Sequence, residues 1–107
     1  MTKILTSSEV AILIALGKAR ENPIGYEALR KIAGLTMRGF TIVWQRMEAN
    51  RLLHYSYDNK REFTATFGGL SAVARHEINK ARAARGSAPI ELLDGNHRSL
   101  ALKPEVL

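Results

Sequence analysis

The first half of the chain repeats its apolar residues at the spacing of amphipathic helices. Thr6 and Glu9 match the two ends of a capping box, in which a hydroxyl and a carboxylate satisfy unpaired amides, so a first helix is predicted to begin there. Proline disfavours helical geometry in the residue before it, and this helix is predicted to stop near Asn22-Pro23. Its apolar face comprises Val10, Leu13, Ile14 and Leu16.

A short second helix is predicted over residues 25–33, and a tight turn follows it. Gly34 stands where the end of a helix needs a left-handed residue. Thr36, two positions later, is a suitable cap for a third helix. The apolar face of the second helix comprises Tyr26, Leu29, Ile32 and Ala33.

The third predicted helix, residues 36–50, divides most clearly into two faces. One face is an apolar stripe that we predict to lie in the core, an aromatic platform for stacked bases being the alternative. The stripe comprises Phe40, Val43, Trp44 and Met47. The opposite face is polar and basic and comprises Arg38, Thr41, Ile42, Gln45 and Arg46.

After Asn50 the apolar period changes from about 3.6 to 2, which predicts two strands. Polar residues 58–61 join these strands as the tip of a hairpin. The alternating apolar residues are Leu53, Tyr55 and Tyr57 in the first strand and Phe63, Ala65 and Phe67 in the second.

A fourth helix is predicted from about Phe67 to Arg85, with Gly86 as its stop. Leu70 and Val73 are expected in the monomer core, whereas Ile78 fits either the core or a dimer interface. Residues 87–107 are expected to form a tail that is partly disordered or docks on a partner. The predicted fold class is therefore mainly α with a small β-hairpin, in one domain at residues 1–86.

Composition narrows the class of protein further. The 107 residues include no cysteine, which excludes disulfides, catalytic thiols and thiolate-bound zinc. The longest apolar run, Val10 to Leu16, is shorter than the ~20 residues that span a bilayer, so we expect a cytoplasmic protein without a membrane partner. A net charge of +6 favours phosphates or acidic surfaces as partners, although other small basic proteins share it.

No pattern typical of an enzyme is present. His54, His76 and His97 fall on a predicted strand, a predicted helix and the tail, without the spacing of metal ligands. Gly68-Gly69 lacks the lysine and hydroxyl residue of a phosphate loop. We therefore expect no catalytic activity, no metal ion and no cofactor.

The predicted order is helix, helix, helix, strand, strand, helix, and two motifs fall within it. One spans the turn, the third helix and the first strand, and the other, at residues 63–69, is similar to a "Y-x-L-T-x-x-G" pattern that ends a second wing strand. The residues of the first motif are Gly34-Leu35-Thr36, Phe40, Val43, Met47-Glu48 and Leu52-Leu53. Over about residues 6–85 these motifs resemble those of MarR-like and PadR-like winged helix-turn-helix transcriptional regulators.

One position departs from the family pattern. The glycine that usually precedes the first wing strand is Arg51 here. Asparagine tolerates a positive φ better than most residues, so Asn50 is expected to adopt that conformation instead. The wing is also short, so it is expected to reach the minor groove less deeply than a longer wing would.

The resemblance implies a three-helix core, a two-stranded wing and a C-terminal helix, in a homodimer that binds duplex DNA. Helix 36–50 would enter the major groove. Arg38, Gln45 and the Thr41 hydroxyl are the expected base-reading groups, because such side chains match the hydrogen-bonding edges of bases. Phosphate contacts are expected from Arg46 and the wing tip. The full set is Thr36, Met37, Arg38, Thr41, Ile42, Gln45, Arg46, Lys60 and Arg61.

Two other functions fit the same pattern. A winged helix also serves as a protein-interaction module, an adaptor or inhibitor without sequence-specific DNA binding. The basic composition further permits RNA binding within a ribonucleoprotein. Salt-dependent retention on heparin or DNA resin separates the first alternative from DNA binding, and competition by structured RNA identifies the second.

Overall fold

The computed structural model describes residues 3–20, 22–58 and 60–102. Within these ranges the chain forms a mixed α/β domain of four helices and two small three-stranded sheets. The helices are α1 (Ser7–Ala19), α2 (Tyr26–Ala33), α3 (Met37–Ala49) and α4 (Phe67–Ala84). The strands are β1 (Lys3–Leu5), β2 (Ile24–Gly25), β3 (Leu53–Tyr55), β4 (Glu62–Ala65), β5 (Leu92–Leu93) and β6 (Ser99–Leu102).

The predicted helix boundaries rest on caps that the structure confirms. Thr6 and Glu9 form a reciprocal capping box at the start of α1. Gly34 has a φ of 69°, and Thr36 accepts a hydrogen bond from the Gly39 amide at the start of α3. The tight turn between α2 and α3 thus follows from local chemistry alone.

One antiparallel sheet contains the predicted hairpin. β3 pairs with β4, which sets Tyr55 opposite Phe63, and β2 pairs with the other edge of β4. The two-residue β2 was not predicted, because so short a segment carries no alternating pattern. It ties the start of α2 to the hairpin.

The second sheet uses the segment that was expected to be a tail. β5 and β6 form an antiparallel hairpin, and β6 pairs in parallel with β1 at the beginning of the chain. Together with β2, these make four unpredicted strands, and the domain is mixed α/β. Of the expected mainly α class, the four helices and the β3–β4 hairpin are confirmed. Residues 103–107 of the expected tail lie outside the described residues.

The core is centred on aromatic side chains from both halves of the fold. Phe63 of β4 lies within 6.1 Å of four other rings, centroid to centroid. Phe40, Trp44 and Met47 of α3 are buried as predicted, and Val43 packs against them. The four rings around Phe63 are Tyr26, Phe40, Trp44 and Tyr55.

Several apolar residues that we expected to face inward are exposed. Ile32 of α2 is 49% exposed, and Leu70, which we placed in the core, is 39% exposed. Tyr57 and Phe67 were expected to continue the strand alternation, but both strands end two residues before them. Phe67 begins α4, as the predicted start of the fourth helix required, and is 86% exposed. Val73, by contrast, packs against the core as expected.

The left-handed residue between α3 and β3 is Arg51, with a φ of 54°, and not Asn50. Asn50 has a φ of −88° and remains part of the helix end, where its side-chain amide donates to the Arg46 carbonyl. The expectation for Asn50 was therefore wrong. A positive φ is strained for a residue with a β-carbon, so Arg51 occupies a position that ordinarily favours glycine.

His76 of α4 is buried beneath the second sheet. Burial and the nearby positive charge of Lys80 lower the pKa of His76, and Glu77 opposes this effect. The unfolded chain therefore binds more protons than the folded chain between the lowered pKa and about 6.5, the ordinary value for histidine. The stability that neutral His76 contributes is complete above this window and is lost as the pH falls through the folded-state pKa.

We expect the free energy of unfolding to be lower at pH 5 than at pH 8, and His76→Gln to remove part of this difference. Urea denaturation followed by Trp44 fluorescence measures both quantities. His54→Gln is the control, because His54 is exposed on β3. An equal pH dependence in wild type and His76→Gln would contradict this assignment.

Candidate nucleic-acid interface

α3 presents a free face to solvent because its other face is held in the core. Phe40 and Met47 are fully buried, and Trp44 is 5% exposed. At the start of the helix, Arg30 Nη1 donates to the Leu35 carbonyl at 3.0 Å, which holds the turn before α3. These contacts set the rotation of α3 about its axis, which directs the residues opposite Phe40, Trp44 and Met47 to solvent.

The outward face carries polar and basic side chains without protein partners. Arg38, Gln45 and Arg46 are exposed, and among the described residues their side chains form no hydrogen bond or ion pair. Ile42 lies between them and is 54% exposed. These side chains are available to an external partner without first breaking a contact inside the protein.

The two threonines of the predicted set have their hydroxyls engaged. Thr36 accepts from the Gly39 amide at 3.1 Å as the helix cap. The Thr41 hydroxyl donates to the Met37 carbonyl at 2.9 Å and also lies 2.9 Å from the Tyr26 hydroxyl. The single proton of Thr41 is used within the helix, so this hydroxyl is not a free donor for a base.

The two predicted residues of the hairpin tip differ in their surroundings. Lys60 is exposed at the tip. Arg61 lies back on the protein, with its guanidinium carbon 4.7 Å from the centre of the Tyr26 ring and its Nε donating to the Tyr55 hydroxyl at 3.3 Å. The bond to Tyr55 raises the pKa of Arg61 above its ordinary value.

Tyr26 connects the hairpin to α3, and the sequence pattern did not indicate this role. Its ring contacts Arg61, and its hydroxyl contacts Thr41. The hairpin tip therefore lies beside the N-terminal half of α3. The only signal in the sequence was an aromatic residue near the start of a predicted helix, which ordinarily indicates core packing.

Acidic groups near this face are occupied by partners within the protein. Glu27 pairs with Arg30 at 2.8 Å, and this bond lowers the pKa of Glu27. Glu48 accepts a hydrogen bond from the exposed Tyr57 at 2.7 Å, and this bond raises the pKa of Tyr57. Arg38 and Arg46 have no such partner among the described residues, whereas Lys60 lies beside Asp58 at the hairpin tip, where the Ser56 side chain and Lys60 lower the pKa of that carboxyl. Positive charge therefore dominates the free face of α3 itself.

The described residues contain no group of three or more histidine, aspartate or glutamate side chains able to hold a metal ion. No helix in the described part of the chain is long and apolar enough to cross a membrane. Comparison with known proteins finds no match among family models, curated proteins or solved structures.

Proposed function

We propose that this protein is a sequence-specific duplex-DNA-binding regulator of transcription, with a winged helix-turn-helix arrangement. α2, the Gly34 turn and α3 correspond to the helix-turn-helix, and the β3–β4 hairpin to the wing. The observation that carries the proposal is the division of α3, which buries an aromatic stripe and leaves an unpartnered basic face opposite. An α-helix with such a face fits the ~12 Å width of the major groove.

Three side chains of the free face match the edges of bases. Arg38 is suited to bidentate bonds with guanine O6 and N7, and Gln45 to adenine N6 and N7. Ile42 offers methyl groups for contact with a thymine methyl. Arg46 and Lys60 are exposed cations and fit phosphate contacts, which add affinity without sequence information.

We further propose that two copies pair through the outer face of α4. Five exposed apolar residues form a stripe along this helix. In an antiparallel pair centred on Ala74, each Phe67 meets Ala81 of the second copy, and each Leu70 meets Ile78. Large residues thus face small ones at the ends, and a small residue lies on the axis. The stripe comprises Phe67, Leu70, Ala74, Ile78 and Ala81.

We expect Leu70→Glu to convert a dimer into a monomer, because an apolar contact is lost twice in a symmetric pair. Burial of a leucine stabilises by about 1.5–3 kcal/mol, so the dimer dissociation constant is expected to rise about 100-fold or more. Light scattering after size-exclusion chromatography measures the mass. Ala28→Glu adds the same charge at an exposed position of α2 and is the control. If the wild-type protein has the mass of a monomer at micromolar concentration, the proposed pairing is wrong, and the DNA-binding proposal is then tested by the selection experiment alone.

Selection from random duplex DNA tests the proposed function directly. Random stretches of about 20 base pairs accommodate two half-sites one helical turn apart. The enriched duplex is expected to bind ~1,000-fold or more tightly than a scrambled duplex at ~150 mM salt. Equal binding of the two sequences would contradict the proposal. Stronger competition by structured RNA than by duplex DNA would favour RNA binding instead.

The alternative is a protein-interaction module, and one observation favours it. Met37 and Ile42 are 61% and 54% exposed on the same side of the fold as the arginines. Methionine and arginine are enriched in protein interfaces. A protein that is not retained on heparin or DNA resin, but is purified with one defined partner, would be an adaptor or inhibitor.

A further inference from the structure

The C-terminal end of α3 is closed by a distant part of the chain. The last carbonyls of a helix have no partners within the helix. Here the Gly95 amide donates to the Asn50 carbonyl at 3.0 Å, and Asn96 Nδ2 donates to the Ala49 carbonyl at 3.2 Å. The turn between β5 and β6, residues 94–98, therefore supplies donors that α3 lacks.

The same turn packs directly on the backbone that leaves α3. A β-carbon on Gly95 would lie 2.2 Å from the Arg51 carbonyl oxygen, and one on Gly68 would lie 2.5 Å from the Gly95 α-carbon. The Thr66 hydroxyl donates to the same Arg51 carbonyl. Backbone atoms are therefore in direct contact where three segments come together: the end of α3, the start of α4 and this turn. A displacement of one segment displaces the other two.

The turn itself is firmly held. Asp94 is 4% exposed, and its Oδ1 accepts from the amides of Asn96 at 2.7 Å and Arg98 at 3.0 Å. Behind the turn, β6 lies between β5 and β1. The hairpin is therefore anchored to the beginning of the chain as well as to α3.

α4 holds the segment that leads to this hairpin by bonds to its backbone. Asn79 bonds both the amide and the carbonyl of Ile90, as a neighbouring strand would. Two arginines, each about one helical turn from Asn79 along α4, donate to other carbonyls of the same segment. Arg75 Nη1 donates to the Glu91 carbonyl at 3.1 Å, and Arg82 Nε donates to the Ala88 carbonyl at 2.6 Å.

We infer that the turn at residues 94–98 positions the free face of α3, and that Asn96 is its principal positioning residue. This inference rests on the proposed function. Gln45 and Arg46 lie in the last turns of α3, close to the carbonyls that the turn caps. Base recognition requires side chains held at fixed positions, so loosening this end of the helix reduces discrimination between sequences more than attraction to phosphates.

The test uses the full-length chain with Asn96→Ala and Asn96→Asp. The aspartate variant keeps the shape of the side chain but has no amide donor for the Ala49 carbonyl. Hydrogen exchange at the amides of residues 50–52 is expected to accelerate about 3- to 10-fold in both variants, the range for one lost hydrogen bond. Asn22→Ala, at an exposed position after α1, is the control and is expected to leave these rates unchanged.

The second measurement is the ratio of dissociation constants for random and selected duplexes. The ratio is expected to fall about threefold or more in both Asn96 variants, while the dissociation constant for random duplex changes less than twofold. Unchanged hydrogen exchange at residues 50–52 in the Asn96 variants overturns the inference. Faster exchange with an unchanged ratio of dissociation constants also overturns it, because Asn96 would then cap the helix without affecting recognition. A wild-type protein without any sequence preference overturns the proposed function itself, a result visible before any variant is made.

Discussion

Arg38→Ala is expected to weaken binding to the selected duplex about 10- to 100-fold, because one bidentate contact with a guanine contributes roughly 1–3 kcal/mol of discrimination. Arg38 is exposed near the start of α3, and its side chain forms no hydrogen bond or ion pair with the other described residues that its loss would disturb. The dissociation constant for random duplex is expected to rise about threefold or less. Fluorescence anisotropy at fixed salt measures both constants.

Arg85→Ala removes the same charge from the exposed end of α4 and is the matched control, expected to change neither constant more than about twofold. Lys60→Ala provides the contrasting case, since a phosphate contact is lost equally from every sequence. If Arg38→Ala weakens selected and random duplexes alike, Arg38 binds phosphate. If it weakens neither, this face of α3 does not bind DNA.

Gly69→Ala is expected to lower the free energy of unfolding by about 3 kcal/mol or more. Gly69 is buried in the first turn of α4, and a β-carbon there would lie 2.0 Å from the Leu52 carbonyl oxygen. That oxygen belongs to the backbone between α3 and β3, which cannot rotate away as a side chain can. Alanine gains about 1 kcal/mol of helix propensity over glycine, which offsets only part of the loss.

Urea denaturation followed by the fluorescence of Trp44, the single tryptophan, measures this effect. Gly25→Ala is the control, because no atom lies within 4 Å of a β-carbon at that position and its φ is an ordinary −66°. It is expected to change stability by less than about 1 kcal/mol. A Gly69→Ala protein as stable as Gly25→Ala would show that α4 and the end of α3 do not pack this closely.

The sequence predicted those properties of the candidate face that depend on α3 alone. The stripe of Phe40, Trp44 and Met47 identified the buried side of α3, and Arg38 and Gln45 on the opposite side followed from the period of the helix. The hydroxyl of Thr41 could not be assigned in this way. Its engagement depends on Tyr26, which is 15 residues away in the chain.

The residues outside α3 were harder to assign for the same reason. Arg61 was expected to reach a phosphate, but whether it extends or lies back depends on the rings of Tyr26 and Tyr55. The outward position of Leu70 depends on the direction in which α4 leaves the β4 strand. Neither property appears in the spacing of apolar residues.

The sequence by itself determined the four helices, the caps at Thr6, Gly34 and Thr36, and the two faces of α3. These features depend on residues within about four positions of each other, where hydrogen bonds and side-chain contacts follow from spacing alone. Only the tertiary structure decided that Arg51 takes the left-handed conformation, that β5 and β6 join β1, and that Gly95 and Asn96 close the end of α3. Asn96 and Ala49, for example, are 47 positions apart in the chain. Residues so far apart become neighbours only when the core has formed.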